Sequence, residues 1–146
     1  FACEKLGVYL EGTLLKPSMT CCGAECPEKV TPRDVAYKTI DVMLRSVPEE
    51  VAGIVFLSGG LSEEAASIYL SEMNKTVNVT PWTVSFSYGR ALQHSCLKAW
   101  AGSNIPAGQA ALLARAQANS EASRGIYVPN SQPSSDEKLF VAGYTY

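Results

Sequence analysis

Two hydrophobic periods alternate along this chain. Residues 31–47 (TPRDVAYKTIDVMLRSV) set Ala36, Ile40, Met43, Leu44 and Val47 at helical spacing. Thr31 is a good N-cap there, Pro32 suits the first helical position, and Asp34 completes an approximate capping box. Residues 52–60 (AGIVFLSGG) form an apolar run with no alternation, ending in glycines. Such a run predicts a strand buried on both faces of a parallel sheet. Residues 62–74 predict the next helix: Ser62 caps it, Glu63 and Glu64 suit the positive end of its dipole, and Ala66, Tyr69, Leu70 and Met73 form the stripe. Residues 82–90 (WTVSFSYGR) predict a third strand, 91–100 its helix, and Pro106 to Ser123 a further helix stopped by Gly125. Earlier in the chain, residues 8–15 (VYLEGTLL) predict a strand ended near Lys16 by Pro17, because a residue before proline is pushed away from helix.

Strand followed by helix, three times over, predicts an α/β fold with parallel strands. Three such strands leave apolar edges bare, which soluble proteins avoid. The count is about three eighths of a (β/α)₈ barrel, which takes roughly 250 residues. Residues 1–6 (FACEKL) resemble the closing turns of a helix stopped by Gly7. The expectation is therefore part of a longer barrel over residues 1–125, with a mobile tail over 126–146, rich in Pro, Ser and Asn before a short apolar end able to dock.

Composition changes this picture little. Of the 146 residues 47% are hydrophobic and 18% charged, an ordinary globular balance. A net charge of -2 with no basic run argues against nucleic acid as a partner. No apolar run approaches the ~20 residues of a membrane span. Five cysteines, an odd number in a chain this long, argue against a disulfide scaffold and for a reducing compartment. His94 is the only histidine and does not share a helix face with Cys96, so no metal site is expected.

The candidate chemistry gathers at strand ends. Lys16 shares a strand side with Gly12 and Leu14. If that side faces a barrel interior, the amine projects at the C-terminal mouth, where barrel active sites lie. A neutral lysine amine attacks a ketone to give an imine, which withdraws electrons from the neighbouring carbon–carbon bond. The alternative is a surface lysine snorkelling at a strand end. Ser58–Gly60 follow the second strand as a turn whose backbone amides and hydroxyl suit a phosphate. Ser87, Gly89 and Arg90 repeat the device one strand later, adding a forked cation. Gly-rich strand–helix turns are common, but barrels bind phosphate after strands 7 and 8, so the pair is more specific than either member.

The stretches EGTLLKPSM, GIVFLSGGLSEEAA, PWTVSFSYGRALQ, LKAW and the closing GYTY resemble, in order and spacing, the C-terminal part of class I fructose-1,6-bisphosphate aldolase. The likeness covers nearly the whole chain. It implies strands 6 to 8 of a TIM barrel, Lys16 as the Schiff-base lysine, and phosphate binding by Ser58 and Gly59 with the backbone of Leu57. It further implies Ser87, Gly89 and Arg90 as the second phosphate turn, and Tyr146 as a terminal tyrosine assisting proton transfer. The implied reaction is reversible cleavage of fructose 1,6-bisphosphate to dihydroxyacetone phosphate and glyceraldehyde 3-phosphate, with no metal or organic cofactor. The implied partners are the preceding barrel strands, which carry the acid/base glutamate, and three further copies in a homotetramer. The implied compartment is the cytoplasm, with the plastid stroma as the alternative. Leu61 departs from the family, which mostly has glutamine there. Two other readings are an aldolase piece acting only by binding, and another lysine-imine lyase such as a transaldolase. The double phosphate turn speaks against the transaldolase.

Overall fold

The computed structural model describes residues 2–23, 26–27, 30–75, 80–141 and 143. Its centre is a three-stranded parallel sheet in the order β1–β2–β3, formed by Leu14–Leu15 (β1), Gly53–Phe56 (β2) and Thr83–Phe86 (β3). Leu15, Ile54 and Val84 stand level across it. The ladder runs on past the strand ends: the Leu57 amide donates to the Pro17 carbonyl at 3.0 Å and the Ser87 amide to the Phe56 carbonyl at 2.9 Å.

Helices follow each strand: α2 (Pro32–Ser46), α3 (Glu63–Lys75), α4 (Arg90–Trp100) and α5 (Ile105–Ala122), after a short α1 (Ala2–Lys5). The capping box of α2 forms as its sequence demands, with Thr31 accepting from the Asp34 amide and Asp34 accepting from the Thr31 amide. Ser62 likewise caps α3, accepting from the Ala65 amide at 3.1 Å. The buried face of α2 comprises Val35, Ala36, Thr39, Ile40 and Met43. Leu44, expected on that face, is exposed. The stripe is rotated by about one position because the helix also packs Val35 and Thr39, whose hydroxyl binds the Val35 carbonyl and the Thr20 amide.

One expectation fails in its length. Residues 8–15 form a strand only over Leu14–Leu15, preceded by a 3-10 turn at Leu10–Gly12. The Thr13 amide closes that turn on the Leu10 carbonyl, and the Tyr9 ring lies where a β-carbon on Gly12 would stand. A glycine weakens a strand, and here its bare face lets an aromatic ring fold over it.

The core lies on one face of the sheet. Ile54, Phe56 and Val84 pack with Ala66, Leu70 and Met73 of α3 and with Ile40 and Met43 of α2. The other face carries Leu14, 62% exposed, and exposed Thr83, with Val55 and Ser85 half-buried. Among the described residues this parallel sheet is therefore covered on one side only, against the usual habit of parallel sheets.

Candidate active site

Parallel order and register bring three chain segments to one edge of the sheet. Leu15, Ile54 and Val84 are level, so Lys16 is level with Val55 and Ser85. Neighbouring strands lie about 4.8 Å apart, so the Lys16 backbone is one strand from β2 and two from β3. Because pairing continues through Pro17, the alternation holds and Lys16 falls on the side of Leu14, the uncovered face. Lys16 is exposed there.

Beside it, Leu57 to Gly60 leave β2 in a tight reversal. Ser58 is buried at 7% exposure, and its carbonyl accepts the Leu61 amide at 2.9 Å. Gly59 and Gly60 have φ of +50° and +83°, the left-handed region that favours glycine. One strand further, Ser87 to Arg90 lead from β3 into α4. Gly89 occupies the N-cap with φ -92°, so handedness does not require a glycine there. Instead, the space where its β-carbon would project is open, leaving backbone accessible to a ligand. The Leu92 and Gln93 amides both close on the Gly89 carbonyl at 3.1 Å, and the amides ahead of them have no acceptor within the helix. Tyr88 fixes the turn from beneath: its hydroxyl donates to the Ala66 carbonyl at 3.0 Å, and burial pushes its ionisation far up.

The chain's last described stretch also reaches this edge. The Leu139 amide donates to the Gly60 carbonyl at 3.0 Å, and Arg90 Nη1 donates to the Leu139 carbonyl. One residue thus joins the two turns, through its amide and its carbonyl. Upstream, Tyr127, Asn130 and Ser134 all bind the Glu64 carboxylate, while Ser135 binds that of Glu63. Burial pushes the Tyr127 phenol up to about 12, reinforced by its hydrogen bond to Glu64 and by that carboxylate's charge. Further along, Glu137 meets Lys98 Nζ and His94 Nε2, and the lysine bond chiefly holds its carboxyl below the ordinary carboxylate range.

The structure therefore brings Lys16, Leu57, Ser58, Gly59, Ser87, Gly89 and Arg90 to one edge. Tyr146 lies outside the described residues. Sequence reasoning missed the roles of Glu63, Glu64, Tyr88 and Leu139. Two adjacent acids at the start of an apolar-faced helix were a faint signal, because helix-dipole compensation accounts for them equally well. The five cysteines are thiols, and His94 lies beside Glu137 rather than in any cluster able to hold a metal among the described residues.

Comparison with known proteins supplies the family. A family model described as "Glycolytic: Fructose-bisphosphate aldolase class-I" matches residues 1–146. Fructose-bisphosphate aldolase B of Gallus gallus is 53% identical over 143 residues, 95% of this chain and 39% of that protein. Fructose-bisphosphate aldolase of Drosophila melanogaster is 50% identical over 141 residues, again 39% of its length. Among solved structures, the Plasmodium falciparum aldolase in complex with TRAP and a small-molecule inhibitor superposes with a TM-score of 0.80 at 48% identity. That match covers 84% of this chain and 35% of the other. The chain spans about 39% of the length of the curated relatives it matches. A full-length family match and relatives of this identity settle the affiliation: the chain belongs to the class-I fructose-bisphosphate aldolase family.

Proposed function

We propose that this chain supplies the imine-forming lysine and both phosphate-binding turns of an aldolase that cleaves fructose 1,6-bisphosphate. The observation that carries the reading is the shared edge: Lys16, Leu57–Gly60 and Ser87–Arg90 leave adjacent parallel strands at the same end. In this reading the three strand–helix units of residues 1–125 are strands 6 to 8 of a (β/α)₈ barrel, and the uncovered sheet face is the barrel interior. The exposed Leu14 supports it, because an apolar side chain on that face needs cover.

The chemistry follows from position. Arg90, with the amides of Gly89 and the first turn of α4, fixes one phosphate by charge-assisted hydrogen bonds, while Ser58, Gly59 and the Leu57 backbone take phosphate at the neighbouring turn. Anchoring the ester presents its ketone to the Lys16 amine, one to two strand spacings away. The amine adds to the carbonyl carbon, and loss of water leaves a protonated imine. A base removes the proton of the C4 hydroxyl. The C3–C4 bond then breaks, its electron pair passing into the imine as an enamine and C4 leaving as the aldehyde. Protonation at C3 and hydrolysis release dihydroxyacetone phosphate and return the amine. Tyr146 fits the proton donor at C3, and the base belongs to the strands that complete the barrel. The assembled enzyme is a homotetramer in the cytoplasm, the plastid stroma being the alternative.

Borohydride reduction in the presence of dihydroxyacetone phosphate, followed by peptide mapping, tests the reading. A reduced adduct on Lys16 is the expected result, and an adduct confined to other lysines refutes it. The exposure of both Leu14 and Lys16 favours a second reading, in which the chain by itself binds without catalysing. Absence of label in this chain, with label in a full-length relative, selects that one.

A further inference from the structure

Residues 126–141 contain no helix or strand, yet they are tied to α3 by two carboxylates with almost no solvent exposure, Glu63 at 0% and Glu64 at 4%. Glu64 Oε2 accepts from the Tyr127 hydroxyl at 2.8 Å and from Ser134 Oγ at 2.7 Å, and its Oε1 accepts from the Asn130 amide at 2.8 Å. Glu63 Oε2 accepts from the Ser135 amide at 3.0 Å and from Ser95 Oγ, and its Oε1 accepts from the Ser95 amide at 2.9 Å. A buried carboxylate is tolerated only when its lone pairs are satisfied. The irregular segment and Ser95, midway along α4, together supply those donors, so carboxylates and segment hold each other in place.

Four residues after Ser135 the segment arrives at Leu139, whose amide binds Gly60 and whose carbonyl takes Arg90 Nη1. Phe140 closes over Gly60 so tightly that a β-carbon there would lie 2.9 Å from the Phe140 Cα. A phosphate engaging the guanidinium in forked fashion requires two parallel N–H donors. A fork that uses the Nη1 N–H held by Leu139 must displace that carbonyl.

We propose that Glu63 and Glu64 are positioning residues for the phosphate turns: by clasping residues 127–135 they seat the Leu139 carbonyl on Arg90, where it competes with substrate phosphate. The proposal rests on the reading of Arg90 as a phosphate ligand. The clasp is the permanent attachment and the Leu139 seat the exchangeable one. Loosening the clasp lowers the population in which the Leu139 carbonyl sits on Arg90, so a weakened clasp tightens anion binding instead of weakening it. This sign distinguishes positioning from damage, because a misfolded turn loses affinity.

The test titrates inorganic phosphate into the wild-type chain, Glu64→Gln, Ser134→Ala and Arg90→Ala by calorimetry, with hydrogen exchange of residues 128–141 read in parallel. Glu64→Gln sets an amide donor against the donors of Tyr127, Asn130 and Ser134, whereas Ser134→Ala deletes one donor from a half-buried segment position and leaves α3 intact. The expected result is tighter phosphate binding, by about three- to tenfold for Glu64→Gln, as removal of a competing conformation predicts, and a smaller gain in the same direction for Ser134→Ala. Phosphate should also speed exchange at the Leu139 amide in the wild-type chain while Asn130 and Ser135 stay protected. Wild-type binding that depends on Arg90 but is unchanged or weaker in both clasp variants overturns the proposal and leaves the phosphate reading standing. Binding insensitive to Arg90→Ala, or absent from every chain, removes both.

Discussion

Arg90 carries the greatest weight at the scale of single residues. It follows a turn held from below by Tyr88 and is the first residue of α4. Replacing Arg90 with alanine removes a charge-assisted partner worth about 1.5–3 kcal/mol. Affinity for dihydroxyacetone phosphate should therefore fall roughly ten- to hundredfold, measured by calorimetry, and unchanged affinity would contradict the anchor. Tyr127 offers a spectroscopic check on Glu64. Its folded pKa, raised to about 12, lies above the ordinary phenol value of 10.0, so the neutral form is the one the fold favours. That stabilisation is fully present below pH 10 and disappears as pH rises towards 12. Ultraviolet difference titration should show a tyrosine ionisation in that upper window that Tyr127→Phe removes. The polar burial around Glu63 and Glu64 was not legible in the sequence. Their partners at 127–135 lie more than sixty residues away, and no local period encodes a contact of that range.

The helices were the legible elements, because cap and stripe are local. Thr31, Pro32 and Asp34 announce α2, and all three act as their chemistry requires. Thr31→Ala should cost about 0.5–2 kcal/mol, the usual range for a lost N-cap, read by urea denaturation. Asp34 has its carboxyl held below the ordinary range, chiefly by the Thr31 hydroxyl. A lowered folded pKa means that its contribution is present above the unfolded value of 3.8 and fades as pH falls through the folded one. The start of α2 should therefore fray below about pH 4, and Thr31→Ala should abolish that acid dependence. The first strand was the poorly legible element. Val8, Tyr9 and Leu10 have strand-forming character, yet Tyr9 folds over Gly12 and pairing is delayed to Leu14. Strand propensity measures the fit to neighbouring strands, so a segment without such neighbours on both sides obeys it weakly. Gly60 belongs to this scale too. Its φ of +83° and the Phe140 backbone against it both exclude a side chain, so Gly60→Ala should unseat Leu139 and expose its amide to exchange.

Across the whole molecule, the dominant feature is a parallel sheet with helices packed on one face. Strand order, helix order and the gathering of Lys16, Ser58 and Arg90 at one edge follow from three repeats of strand and helix, which is why the candidate site could be read before the fold was known. Docking of the tail was open in the sequence, but the partners of residues 127–140 were not, since Pro, Ser and Asn name no acceptor. The uncovered face, with Leu14 exposed beside half-buried Val55, is an association surface as long as barrel strands do not cover it. Sedimentation of this chain should show self-association that Leu14→Asn reduces. A strictly monomeric wild-type chain would argue that the face is content in water.

The most direct test of the central claim, one amine placed beside two phosphate turns, is the concentration dependence of imine trapping at Lys16. Borohydride reduction with increasing dihydroxyacetone phosphate should label Lys16 with saturation, and Arg90→Ala should raise the half-saturating concentration about tenfold or more while the labelled residue stays the same. Trapping on Lys16 with identical half-saturation in both chains, or label distributed over exposed lysines without saturation, would contradict the account.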